Sequence, residues 1–147
     1  MIVADTNLVS YLLIEGELTD GARRVRELDA DWRLPPLWRS EFLNVLASAV
    51  RAGVLDEQQA LSVWWVASDL FLGHEVEPDG DSVLTLALER RISAFDAQFV
   101  ALAEDLEVPL VTGDLGIVQQ CPELAITIED FAASRQGSTK PCVSVMA

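Results

Sequence analysis

The sequence is poor in positive charge. Ten Lys and Arg stand against 24 Asp and Glu, a formal net charge of −14, and Lys140 is the only lysine. That balance argues against a protein that grips nucleic acid by bulk charge, because phosphate binding of that kind needs clustered Lys and Arg. It also argues against an anionic membrane surface as partner. It leaves chemistry on phosphates open if a divalent ion supplies the positive charge. Cysteine is nearly absent: Cys121 and Cys142 are the only two. One pair is no disulfide framework, so a reducing, cytoplasmic setting is expected. His74 is the single histidine. A zinc site rich in His and Cys is thereby excluded, and Ser-His or Cys-His nucleophile schemes are weakened. Neither a Gly-x-x-x-x-Gly-Lys loop nor a Gly-x-Gly-x-x-Gly turn occurs, which speaks against nucleoside triphosphates and dinucleotides. No uncharged apolar run reaches the roughly 18 residues of a membrane helix. The start, Met1-Ile2-Val3-Ala4-Asp5, lacks the basic stretch of a signal peptide.

What remains is a chain of 147 residues, 50% of them hydrophobic, which suits one domain with a sizeable core. We expect that domain over residues 1–133, followed by a flexible, linker-like tail over 134–147. Short apolar runs alternate with longer amphipathic ones, the pattern of an α/β fold. Met1–Ala4, Trp32–Pro35, Val108–Thr112 and Ala125–Ile128 read as short strands, and His74–Pro78 as a weak edge strand. Helices are expected from Asp5-Thr6-Asn7 onward through Ile14, over Thr19–Leu28 with Thr19 and Asp20 as caps, and over Trp38–Val50 with Gly53 as its stop. Others are expected over Asp56–Leu72, Asp81–Arg91 and Ser93–Glu107.

Four carboxylates fall at telling places. Asp5 follows the first strand and Asp114 follows the Val108–Thr112 strand, and ligands of open α/β sheets sit at such carboxyl ends. The simpler readings are a helix cap for Asp5 and a turn residue for Asp114. Glu41 borders the apolar stripe of Leu37, Trp38, Phe42, Val45, Leu46 and Ala49, where a carboxylate is costly unless paired, hydrogen-bonded or metal-bound. The simpler reading is a partner such as Arg39 or Arg51, or a side chain that reaches out to water. Asp96 stands three residues after Ser93, the spacing of a capping box. Gathered together these acids would repel and raise one another's pKa. A hard divalent ion, Mg²⁺ or Mn²⁺, relieves that with oxygen ligands and water.

The same residues carry a resemblance. Ile2-Val3-Ala4-Asp5-Thr6-Asn7 resembles the first motif of PIN-domain nucleases, and Arg39-Ser40-Glu41-Phe42-Leu43-Asn44-Val45-Leu46 the second. Ser93-Ala94-Phe95-Asp96-Ala97-Gln98-Phe99-Val100-Ala101-Leu102-Ala103 resembles the third, and Pro109-Leu110-Val111-Thr112-Gly113-Asp114 the fourth. The likeness runs from residue 1 to about 131, in order. The short single-domain length is similar to the VapC toxins of toxin–antitoxin pairs. The resemblance implies a three-layer α/β/α sandwich on a central parallel sheet, often in a homodimer. It implies a Mg²⁺- or Mn²⁺-dependent endoribonuclease held in check by a VapB-type antitoxin. By that likeness Asp5, Glu41, Asp96 and Asp114 form the acidic metal site, with Thr6, Asn7 and Thr112 as supporting polar groups.

The expected chemistry is metal-assisted hydrolysis of an RNA phosphodiester, which needs no side-chain nucleophile. RNA contact must be local, with Arg39, Arg51, Arg90 and Arg91 as candidates, though a solvated face accounts for them as well. The stretch with Leu61, Trp64, Trp65, Leu70 and Phe71 is either core or a groove for a partner helix. Two competing readings stand beside this one. A receiver- or phosphatase-type domain wants an acidic pair before the first-strand Asp or a second Asp two residues after it, where Asn7 stands. A PIN-like fold kept as a catalytically silent binding module is the other.

Overall fold

The computed structural model describes residues 1–136. Four short strands, β1 (Ile2–Ala4), β2 (Trp32–Arg33), β3 (Leu110–Thr112) and β4 (Ala125–Thr127), form one sheet in the order β2-β1-β3-β4. Every pairing is parallel: Val3 lies opposite Arg33 on one side and Leu110 on the other, and Val111 lies opposite Ile126. Ile2, Val3, Ala4, Leu110 and Val111 are fully buried, as apolar runs covered on both faces must be.

The helices are α1 (Thr6–Leu13), α2 (Thr19–Leu28), α3 (Trp38–Arg51), α4 (Glu57–Leu70), α5 (Gly80–Arg90), α6 (Ala94–Leu106), α7 (Leu115–Gln120) and α8 (Ile128–Gln136). The α2 helix packs on both α1 and α8 to make one outer layer, while α6, backed by α5, packs on β1 and β3 to make the other. The expected three-layer sandwich is thus found. Trp38 is the hub at the β2 end: its ring meets Phe42, Trp64 and, edge-on, Phe71 with centroids 5.4–6.0 Å apart. This cluster fixes α3 against α4, and so fixes where Glu41 points.

Several local expectations change. The β4 strand stops at Thr127, whose hydroxyl accepts from the Asp130 amide and starts α8, so Ile128 belongs to a helix and is buried in it. That helix runs to Gln136, past Ser134; the rest of the expected tail lies outside the described residues. The His74–Pro78 segment is not a strand; it contributes one parallel bridge, Glu75 to Leu34. Thr19 does not cap α2. Its buried hydroxyl accepts from the Gly16 amide and donates to the Ile14 carbonyl, tying the α1–α2 turn instead. Gly53 does close the α3 end, with φ of +75° where glycine carries no side-chain penalty. Among the described residues no helix is long and apolar enough to cross a membrane.

Candidate active site

The sheet order reverses between β1 and β3, so the loops after these strands diverge and leave a crevice at their carboxyl ends. Asp5 leaves β1 and Asp114 follows β3 into that crevice. Asp5 is 5% exposed and has two partners: its Oδ1 accepts from the Leu8 amide at 2.8 Å, and its Oδ2 accepts from the Thr112 hydroxyl. The Thr112 oxygen in turn accepts from the Asp114 amide at 2.9 Å. Asp114 Oδ1 accepts from the Gly116 and Ile117 amides and caps α7. The cap reading of Asp5 is therefore correct, while Asp114 is a helix cap rather than the expected turn residue; both acids lie in the crevice as well.

Glu41 reaches the same place from α3. The expected arginine partner is not the one used. Thr6 Oγ1 donates to Glu41 Oε1 at 2.8 Å, while Arg39 pairs with Glu75 and lies over the Trp38 and Trp64 rings. Asp96 arrives from the first turn of α6, where its amide donates to Ser93 Oγ at 3.0 Å. Asp5, Thr6, Asn7, Glu41, Asp96 and Asp114 line one small cleft of about 50 Å³, floored by Phe99 and Ile117. Phe99 and Ile117 are not among the expected site residues; both are buried and apolar, and carry no chemical group that would mark a site.

The four acids feel one another. Burial pushes the Asp5 carboxyl up to about 6, and Asp114 and Glu41 push it the same way. Glu41 is raised by burial and by Asp96, and Asp96 by burial and by Asp114. Among the described residues none of the four has an ion pair, and Glu41 Oε2 and Asp114 Oδ2 accept no hydrogen bond. Oxygen-only donors under mutual repulsion suit a hard divalent ion. No group of three or more His, Cys, Asp or Glu among the described residues is set close enough to cage an ion outright.

The arginines do not join the cleft. Arg90 pairs with Glu123 and the Gln120 carbonyl, Arg39 with Glu75. Arg51 and Arg91 are exposed at helix ends, Arg91 in the left-handed region with φ of 54°.

The sequence matches the model of the PIN domain over residues 2–120. The chain belongs to the PIN domain family. It is 25% identical over 126 residues to Ribonuclease VapC3 of Pyrobaculum aerophilum, covering 84% of this chain and 96% of that protein. The PIN fold is shared with two solved structures. PAE2754 from Pyrobaculum aerophilum superposes with a TM-score of 0.73 at 20% identity, covering 92% of this chain and 95% of the other. FitAcB from Neisseria gonorrhoeae does so with a TM-score of 0.64 at 20% identity, covering 88% and 99%.

Proposed function

We propose that this PIN domain is a divalent-metal-dependent endoribonuclease that hydrolyses RNA phosphodiester bonds, and that it is the toxin of a type II toxin–antitoxin pair. The observation that carries the reading is the convergence of Asp5, Glu41, Asp96 and Asp114, from four separate elements, on one cleft without a cationic partner. The similarity to a protein named as a ribonuclease supports the substrate class.

Asp5, Glu41, Asp96 and Asp114 would hold Mg²⁺ or Mn²⁺, which when bound lowers the pKa of water and offsets charge on the phosphate. The chain's own residues prepare the cleft. Thr112 fixes the Asp5 carboxylate and the Asp114 backbone together, and Thr6 fixes Glu41, so the acids are oriented before any ion arrives. Glu41 Oε2, free of hydrogen bonds, is the group suited to accept a proton from an attacking water. Of the four candidate arginines, Arg51 and Arg91 make no ion pair among the described residues and are the ones open to RNA phosphates at a distance. With so few cations, affinity depends on local fit rather than counterion release.

A homodimer and a VapB-type antitoxin fit the exposed apolar faces. The long aromatic stretch splits: Phe71 just past α4 is buried, whereas Leu61, Trp65 and Leu72 are 55%, 69% and 72% exposed; separately, Leu84 and Leu88 are exposed on α5. Faces of this kind mark partner sites.

The test compares wild type with Asp5→Asn on a pool of cellular RNAs, with Mn²⁺ and with chelator. Cleavage by wild type alone, and only with Mn²⁺, is expected. Equal cleavage by both proteins removes the nuclease reading, and loss of cleavage in all samples leaves a silent binding module.

A further inference from the structure

A second, larger cavity of about 450 Å³ borders the acidic cleft. Tyr11, Leu18, Leu115 and Ile128 form its apolar walls, and Glu17 and Glu129 stand at it as carboxylates. Thr112, whose hydroxyl holds Asp5, is also in its wall. The Tyr11 ring is pressed on the Gly113 backbone: a Cβ on Gly113 would sit 2.8 Å from Tyr11 Cε2 and 3.0 Å from the hydroxyl. The Tyr11 hydroxyl is raised in pKa by burial and then by Asp5 and Asp114, so this wall lies within the field of the acids.

We propose that this cavity is the subsite for one unpaired nucleobase of the RNA next to the bond that is cut, and that it takes guanine in preference to uracil. The inference rests on the ribonuclease reading above. A phosphate is repelled by Glu17 and Glu129, whereas a base is suited to the apolar walls and the aromatic ring. Single-stranded RNA is read in this way, by bases splayed out against aromatic side chains. The volume lies in the range of small-ligand pockets. Ionised carboxylates only accept hydrogen bonds. Guanine offers N1–H and its 2-amino group side by side, and these satisfy both oxygens of one carboxylate. Uracil offers one N–H between two carbonyls, which places acceptor against acceptor. Neither carboxylate is engaged by another side chain among the described residues; Arg23, the nearest cation in sequence to Glu17, pairs with Glu15 and Asp20.

The test has two arms on the full chain. In the first, single-stranded RNAs differing at one base are cleaved with Mn²⁺ by wild type, Glu17→Gln and Glu129→Gln. A bidentate base contact discriminates by roughly 5- to 150-fold, so wild type is expected to prefer guanine over uracil by about tenfold or more in kcat/KM. At least one variant is expected to lose most of that ratio. In the second arm, guanosine and uridine monophosphates are titrated in chelator while the backbone amides of Gly21 and Gly113 are followed by NMR. Guanosine monophosphate is expected to shift both, and uridine monophosphate far less. An unchanged base preference across the three proteins overturns the proposal, as do unmoved glycine amides, the result expected if the cavity takes a side chain of a protein partner instead. If wild type cuts no RNA at all, the hydrolase reading falls and the NMR arm alone rules on the cavity.

Discussion

The Thr112 hydroxyl donates to the Asp5 carboxylate across two neighbouring parallel strands, joining residues 107 positions apart in the chain. Because Thr112 also accepts from the Asp114 amide, its proton has one direction, toward Asp5. One buried side chain thus sets two of the four acids.

Replacing Thr112 with Val keeps the volume and removes both hydrogen bonds. Leaving buried polar groups without partners costs roughly 1–3 kcal/mol, and that loss is expected in urea unfolding of Thr112→Val. The Asp5 carboxyl is expected to titrate still higher, since the Thr112 bond is what lowers it most. Carboxyl NMR of the two proteins checks this.

Asp5 also makes stability depend on pH. Its carboxyl is raised from 3.8 to about 6 on folding, so the folded chain holds a proton more tightly than the unfolded one. The favourable contribution is complete below about pH 4 and is lost as pH rises through about 6. At about 1.4 kcal/mol per unit, the loss is on the order of 3 kcal/mol for this buried group. Asp5→Asn cannot ionise. In chelator its stability relative to wild type is therefore expected to climb between pH 4 and pH 7, by up to that amount, in denaturant titrations at fixed pH. Carboxyls remote from the cleft cancel in the difference, whereas Glu41 and Asp114, which are coupled to Asp5, contribute to it.

Gly113 is required by the Tyr11 ring. Gly113→Ala places a methyl 2.8 Å from Tyr11 Cε2, so the ring must move. A loss of about 1–3 kcal/mol is expected, as for other overpacked contacts. Tyr11→Ala should relieve it in a double-mutant cycle, where the two changes combine to less than their separate sum.

Much of this was legible in the sequence because burial leaves a plain mark. Ile2-Val3-Ala4 and Leu110-Val111-Thr112 are too short for helices and too apolar for the surface, and both are central strands. The carboxylates stood out because Asp5 and Asp114 end such strands and Glu41 borders a core stripe. The α7 helix left no such mark. Its six residues, Leu115–Gln120, span less than two turns and include Gly116, so no periodicity develops. The α8 helix was hidden by Ile128, an apolar residue continuing the strand's run, while Thr127 supplies the cap that ends it. The partner of Glu41 was missed for a different reason. Charge pairing pointed to Arg39, but Arg39 lies over Trp38 and Trp64 beside Glu75, and a short hydroxyl from a neighbouring helix took its place. Such contacts depend on how helices cross, which local sequence does not encode.

The claim beneath the whole account is that four acids share one hard cation, and calorimetric titration of Mn²⁺ tests it most directly. Wild type is expected to show saturable binding that Asp5→Asn and Asp114→Asn each abolish or weaken at least tenfold, with both variants folded by circular dichroism. Absence of heat in wild type, or the same isotherm in all three proteins, would contradict it.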